Sequence, residues 1–325
     1  MKARTRSRAV ALAKLALGVG LLAALLLWRD NAGKIVDIFL RFRFEYLVVL
    51  AVVAFLMRWI SAVKWSVLLR DRDVRLPIWR LFCLNLIGQF FNNFMPSMVG
   101  GDIAKIYLLG RQIKSHARTA ASVFMDRFTG LISLIVLVFA FSALNTELMA
   151  DPLIGFSVGA TTLGCVALVL LIASGKTLTR LGERFRAVPL AGRVIGPLTR
   201  FHGELIHYRR SYGTLLFAFV CSVLFYFLAS VSVYFSCYAI GFYPSFLDVA
   251  LVTPIIFLVT TIPVSPNNIG WWEWAVSLLL TGTQATMADG LMVALTMRAV
   301  STAISLLGGV LFLVEKVELP ARRPQ

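Results

Sequence analysis

Two stretches interrupt the apolar runs of this chain, and they do so in the same way. The first reads Asn92-Asn93-Phe94-Met95-Pro96-Ser97-Met98-Val99-Gly100-Gly101-Asp102. The second reads Pro263-Val264-Ser265-Pro266-Asn267-Asn268-Ile269-Gly270-Trp271-Trp272-Glu273. Each joins proline, asparagine and glycine to a single carboxylate just beyond the last glycine. Hydrocarbon offers no water to a free N–H or C=O, so such a break survives only when buried in protein or lining a wet cavity. Paired breaks in two halves of a membrane protein point to a transport site.

The rest of the chain fits a membrane setting. Hydrophobic residues are 59% of the 325 and charged residues only 15%, against about 25% charged in soluble domains. Apolar segments fall at 9–28, 46–66, 79–95, 99–111, 118–143, 152–173, 213–240, 246–262, 269–283 and 287–313. Most reach the roughly 20 residues that a span needs. Segments 99–111 and 269–283 are short and follow the breaks, so they read as return arms of re-entrant hairpins. The run 9–28 follows Lys2, Arg4, Arg6 and Arg8 and lacks a small-x-small cleavage site at its end, so it reads as a retained first span. The expectation is an all-α polytopic membrane protein with about six full spans and two hairpins.

A net charge of +16 suggests nucleic acid at first sight, but the bases are confined to loops between apolar runs. Lys and Arg crowd residues 1–8, 64–80, 111–118, 174–212 and the tail from Val314. Loops 144–152, 241–248 and 284–290 hold none, and carry Glu147, Asp151, Asp248 and Asp289 instead; loop 29–45 is mixed. A cytoplasmic bias of Lys and Arg accounts for this, with both termini and the basic loop 174–212 inside a cytoplasmic (inner) membrane. The same field attracts anionic lipid headgroups.

The whole chain, 1–325, then reads as one transmembrane domain made of two halves, 9–143 and 152–313. Each runs span, span, broken or re-entrant hairpin, span, and the second half starts on the opposite side, which makes the repeat inverted. A rival count treats every hairpin arm as a full crossing. Within 174–212, Leu178, Leu181, Phe185 and Val188 recur at near-helical spacing among Arg180, Arg184 and Arg186. That pattern suits either an interfacial helix or a solvated basic linker.

Cys83, Cys165, Cys221 and Cys237 lie in apolar runs without Cys-x-x-Cys spacing, and His116, His202 and His207 make no metal pattern. No metal or cofactor is implied. The chemistry sits at the breaks and in the spans. Asn85, Gln89, Asn92 and Asn93 share one helical face, which must meet protein or water rather than lipid. Gly100 and Gly101 open a short helix whose first turn carries Asp102, followed by Lys105; its free N–H groups suit either phosphate or Asp102 itself as a cap. Asn267, Asn268 and Gly270 precede Glu273 in the same way, among Trp271, Trp272 and Trp274, which read as an interfacial belt or a stacking surface. Asp126, Arg127 and Arg298 lie within spans, where ionisable groups pair and are functional candidates. Arg298–Glu273 and Arg127–Asp102 are candidate pairs, with Asp102–Lys105, at i and i+3, as the alternative for Asp102. Lys14, Arg58 and Lys64 are weaker candidates, near enough to span ends to snorkel.

With these residues assembled, the chain resembles the lysylphosphatidylglycerol synthase transmembrane-region family of flippase-like integral membrane proteins. The resemblance rests on Asn93-x-x-Pro96-x3-Gly100-Gly101-Asp102-x2-Lys105, Asp126-Arg127-x2-Gly130, Pro263-x6-Gly270-x2-Glu273 and Arg298. Lys105 stands where the family often has arginine, and Asn267-Asn268 where it often has a glycine pair. The resemblance implies translocation of an anionic phosphate-bearing or polyprenyl-phosphate-linked lipid, with anionic membrane lipids as partners. It carries over no aminoacyl transfer, because no synthase domain accompanies the spans. Homo-oligomerisation and a separate lipid-modifying enzyme stay open. Two other classes compete: an ion- or proton-coupled solute transporter using Asp102, Asp126 or Glu273, and a membrane-embedded lipid-linked glycosyl or phosphoryl transferase. The transferase would need a metal-binding carboxylate cluster or a nucleophile, and the sequence shows neither.

Overall fold

The structure is a computed structural model and describes residues 16–21, 23–25, 31–95, 99–142, 156, 159, 162–164, 201, 203–208, 210–262 and 264–317. Among the described residues the regular structure is helical. In chain order the helices are α1 (Asn31–Leu40), α2 (Glu45–Arg70), α3 (Ile78–Phe94), α4 (Gly100–Gln112), α5 (His116–Ser142), α6 (Tyr212–Ala239), α7 (Phe246–Val259), α8 (Trp271–Leu280) and α9 (Met287–Val317). Helical residues also occur within 16–25 and 203–208. Four helices, α2, α5, α6 and α9, are long and apolar enough to cross a membrane. The chain is a polytopic membrane protein.

The order long helix, arm, break, arm, long helix occurs twice: α2 to α5, then α6 to α9. Local signals explain the ends. Glu45 opens α2 and Arg70 closes it, while Asp102 opens α4 and Arg111 closes it, each opposing the helix dipole. Ser245 caps α7 by accepting from the Leu247 N–H at 3.2 Å. Loop 29–45, read from sequence as a mixed connection, contains α1. There Lys34 and Asp37 alternate with Ile35, Val36, Ile38, Phe39 and Leu40, a spacing that supports a short amphipathic helix rather than a span. Most of the 152–173 span and most of the basic loop 174–212 lie outside the described residues.

The chain forms two compact units. One comprises residues 1–59, 82–104 and 227–325; the other comprises 60–81 and 105–226. In the first, α9 approaches α3 so closely that a Cβ on Gly308 would overlap the Leu86 carbonyl, and one on Gly309 would strike the Phe90 ring. Phe91 and Phe312 pack edge to face beside this contact. Nearer its start, α9 meets α8, where Gly290 sits against Ser277. Small residues allow such backbone approach inside a membrane.

In the second unit Leu68, Ala121, Met125, Leu205, Tyr208 and Ala218 form the core, flanked by Phe124, Phe128, Phe201 and Leu215. Trp65 is buried there and donates to Ser122 Oγ at 3.0 Å, and the Tyr208 hydroxyl donates to the Leu68 carbonyl at 2.8 Å. Beyond the helix ends, Arg72 pairs with Glu204, and Thr214 donates to Asp71 at 3.2 Å. Burial lowers the Arg72 guanidinium and raises the Tyr208 phenol from their ordinary values.

Candidate functional site

The first break turns on two small contacts. Asn92 Oδ1 accepts the Gly101 N–H at 2.8 Å, which satisfies one of the open donors at the start of α4. A Cβ on Gly101 would overlap the Gly88 carbonyl, so the two arms of this hairpin meet backbone to backbone. Pro96, Ser97 and Met98 lie outside the described residues. Gly100 is buried beside Met95, and Asp102 stands in the first turn of α4.

The second break is held more heavily. Asn267, Asn268 and Gly270 have φ of 50°, 53° and 80°. Asparagine tolerates this left-handed region better than most residues, and glycine adopts it freely. Gly270 must also be glycine for space, because a Cβ would overlap the Gly18 carbonyl. The Asn268 side chain donates to the Thr260 carbonyl at 2.8 Å, and Ser265 Oγ donates to the Ile269 carbonyl at 2.6 Å. Glu273 Oε2 accepts the Gly270 N–H at 2.7 Å, the carboxylate half of a capping box. The tryptophans are half-buried: Trp271 stacks on Trp274, and Trp272 packs edge to face on Phe257.

Arg298 completes this break. Its Nε pairs with Glu273 Oε1, while Nη1 and Nη2 donate to the carbonyls of Asn267 at 3.4 Å and Asn268 at 3.1 Å. The expected Arg298–Glu273 pair is therefore present. Its guanidinium serves the orphaned carbonyls of the break as well as the carboxylate. Glu273 is 1% exposed, so an unpaired charge there would be costly.

One face of α9 gathers both breaks. Ser301 and Ser305 follow Arg298 at helical spacing. Ser301 Oγ accepts from Gln89 Nε2 at 3.1 Å, and Ser305 Oγ accepts from Asn93 Nδ2 at 2.9 Å. The polar stripe of α3 thus meets protein on α9, and Arg298 and Ser305 are separated by about 10 Å along the axis.

Lys64, Lys105, Asp126 and Arg127 belong to the second unit. Asp126 forms an ion pair with Lys64, Nζ to Oδ1 2.8 Å, with side chains 12% and 10% exposed. Lys64 also donates to the Asp126 carbonyl at 2.8 Å and to Ser222 Oγ at 3.1 Å. Oδ1 lies close to the ammonium but accepts no well-aligned hydrogen bond. Arg127, next in sequence, is exposed. Lys105 is buried with its ammonium 5.3 Å from the centre of the Trp65 ring. Asp102 and Arg127, the other expected pair, fall in different units.

Lys64 is the residue that sequence reasoning placed too low. Six positions from the end of α2 it reads as a snorkelling lysine, yet it is 8% exposed and points into the unit. The available signal was Asp126 itself, an intramembrane carboxylate that demands a cation, with Gly130 one turn later. A Cβ at Gly130 would lie 3.5 Å from the Tyr226 hydroxyl and 3.9 Å from Lys64 Nζ, ordinary contact distances, so glycine leaves room for a methyl group there.

Comparison with known proteins places the chain among membrane proteins. The chain is 25% identical over 319 residues to a UPF0104 membrane protein of Pyrococcus horikoshii, covering 90% of this chain and 93% of the relative. It is 26% identical over 273 residues to a UPF0104 membrane protein of Methanothermobacter thermautotrophicus, covering 78% and 80%. No solved structure matches. The family model described as lysylphosphatidylglycerol synthase TM region matches residues 11–309, nearly the whole chain, and the protein belongs to that family.

Proposed function

We propose that the protein translocates an anionic, phosphate-bearing lipid between membrane leaflets, as a flippase or scramblase. The observation that carries this reading is the docking of both helix breaks on one face of α9 through Arg298, Ser301 and Ser305. Broken helices sharing a support are the architecture of membrane transport sites. The twofold order of long helix, arm, break, arm and long helix supports an inverted repeat around them.

The charges favour an anion. Lys64, Lys105 and Arg127 lie within helices, and Asp126 is the carboxylate that pairs with Lys64. Cations inside a bilayer compensate a phosphate that would otherwise cross hydrocarbon alone. The family name speaks for lipid chemistry. The proposed activity moves a molecule and makes or breaks no covalent bond. In this reading the membrane is the cytoplasmic one, with the basic loops and both termini on the cytoplasmic side.

The test is reconstitution of the full chain into liposomes with acyl-labelled phosphatidylglycerol, polyprenyl phosphate or phosphatidylcholine, followed by a leaflet-specific quench. Faster exchange of the anionic lipids than in protein-free vesicles is the expected result. Exchange of no phosphate-bearing lipid above that background would overturn the reading.

A further inference from the structure

We infer that Lys64 and Asp126 form an exchange site in which a phosphate-bearing anion displaces the Asp126 carboxylate from Lys64 and the freed carboxylate takes up a proton. This rests on the anionic-substrate reading above and adds its coupling ion. Asp126 lies about 15 Å along the axis from His116, Ser222 about 15 Å from Tyr212, and Lys64 about 9 Å before Arg70. All three helix ends named here border the basic loops. The pair thus sits within the depth of a roughly 30 Å hydrocarbon layer, on the side of those loops.

Three features distinguish this pair from a structural staple. First, it holds no broken backbone: α2, α5 and α6 run continuously past it. Second, Lys64 does not depend on the carboxylate alone. Lys64 spends aligned donors on the Asp126 carbonyl and Ser222 Oγ, while Oδ1 accepts no aligned bond. The ammonium therefore stays anchored when the carboxylate leaves. Third, Gly130 keeps the space beside Lys64 Nζ and the Tyr226 hydroxyl clear of a side chain. The other groups around the pair are Cys221 and Tyr226 on α6 and the exposed Arg127 on α5. Arg127 can receive an anionic group at the surface of the unit before it reaches the buried ammonium.

Charge balance dictates the proton. The resting pair is neutral. An entering monoanion would leave one net negative charge in a low-dielectric site, a state that burial strongly disfavours. Protonation of Asp126 from water restores neutrality, with the anion paired to the Lys64 ammonium and a neutral carboxylic acid beside it. Departure of the anion reverses both steps.

The purified full chain in detergent, near neutral pH in weak buffer with an indicator dye, is titrated with dioleoylphosphatidylglycerol, dioleoylphosphatidylcholine or inorganic phosphate. The expected result is uptake of about one proton per chain with phosphatidylglycerol, little with phosphatidylcholine, and none in Asp126→Asn or Lys64→Gln. If a single variant fails to fold, Lys64→Gln with Asp126→Asn leaves no charge stranded and serves instead; uptake persisting in it overturns the assignment. Uptake with inorganic phosphate but not with lipid supports the exchange site and identifies a free anion as its ligand. No uptake with either anion overturns the inference. Lipid exchange without proton uptake sinks the coupling and leaves translocation standing, whereas uptake without exchange does the reverse.

Discussion

The Glu273–Arg298 and Lys64–Asp126 pairs both lie inside apolar helices, yet only the first has broken backbone to hold. Arg298 reaches two carbonyls that the turn at Asn267 and Asn268 leaves without helix partners, and Glu273 reaches the Gly270 N–H. That pair replaces the hydrogen bonds a continuous helix would have made. Around Lys64 and Asp126 the helices are unbroken, and the pair satisfies no orphaned backbone group. A buried charge without a structural client is expensive to keep, so its role is sought in what passes it. The two pairs separate charge that serves broken backbone from charge that serves none.

The largest expected effect is on the clamp. Replacing both Glu273 and Arg298 by Gln removes the charges but still strands the carbonyls of Asn267 and Asn268. At about 1–3 kcal/mol for each unsatisfied buried group, the loss of stability is roughly 2–6 kcal/mol. Thermal unfolding in detergent measures it. Wild-type stability in this variant would mean that the pair supports no backbone and would erase the contrast.

Close packing comes next. Gly308→Leu drives a side chain into the Leu86 carbonyl and costs about 1–3 kcal/mol or more, read by the same unfolding measurement. Its counterpart in the other unit, Gly130→Ala, meets only ordinary contacts and is expected to lie within about 1 kcal/mol of wild type. If Gly130→Ala proves the more damaging, the space beside Lys64 is packed rather than open. A smaller effect belongs to Ser305→Ala, which removes the Asn93 partner across α3 and α9. About 0.6 kcal/mol is typical of such a bond in a membrane. A change several times larger would show that the amide, and the first break behind it, leans on α9 far more than on Gly101.

Much of this fold was legible in the residues, for a physical reason. Spans expected at 46–66, 118–143, 213–240 and 287–313 correspond to α2, α5, α6 and α9, because hydrocarbon demands long uninterrupted apolar helices. The arms flanking both breaks were legible too, since proline, asparagine and glycine have few uses inside a membrane. Arg298–Glu273 could be paired from sequence because each charge stood almost alone in its neighbourhood. Lys64 could not, because depth along a helix near its end looks the same whether a lysine turns out to water or in to a carboxylate. The helix α1 was hidden by Arg29, Lys34, Arg41 and Arg43, whose charges mark a loop in a membrane protein even where the apolar spacing is helical. The left-handed turn at Asn267-Asn268 was hidden as well, since two asparagines permit that conformation without requiring it.

The most direct measurement compares the two charge-free double variants for lipid exchange per folded molecule. Lys64→Gln with Asp126→Asn is expected to stay within about 1 kcal/mol of wild-type stability, because a buried pair replaced on both sides strands no charge. Its exchange of labelled phosphatidylglycerol should nevertheless fall at least about tenfold, the equivalent of 1.4 kcal/mol on the barrier. Glu273→Gln with Arg298→Gln, held below its lowered unfolding temperature, should retain most of its exchange. Wild-type exchange by the folded Lys64–Asp126 double variant, or its loss in a fully stable Glu273–Arg298 double variant, would contradict the division of labour between the two pairs.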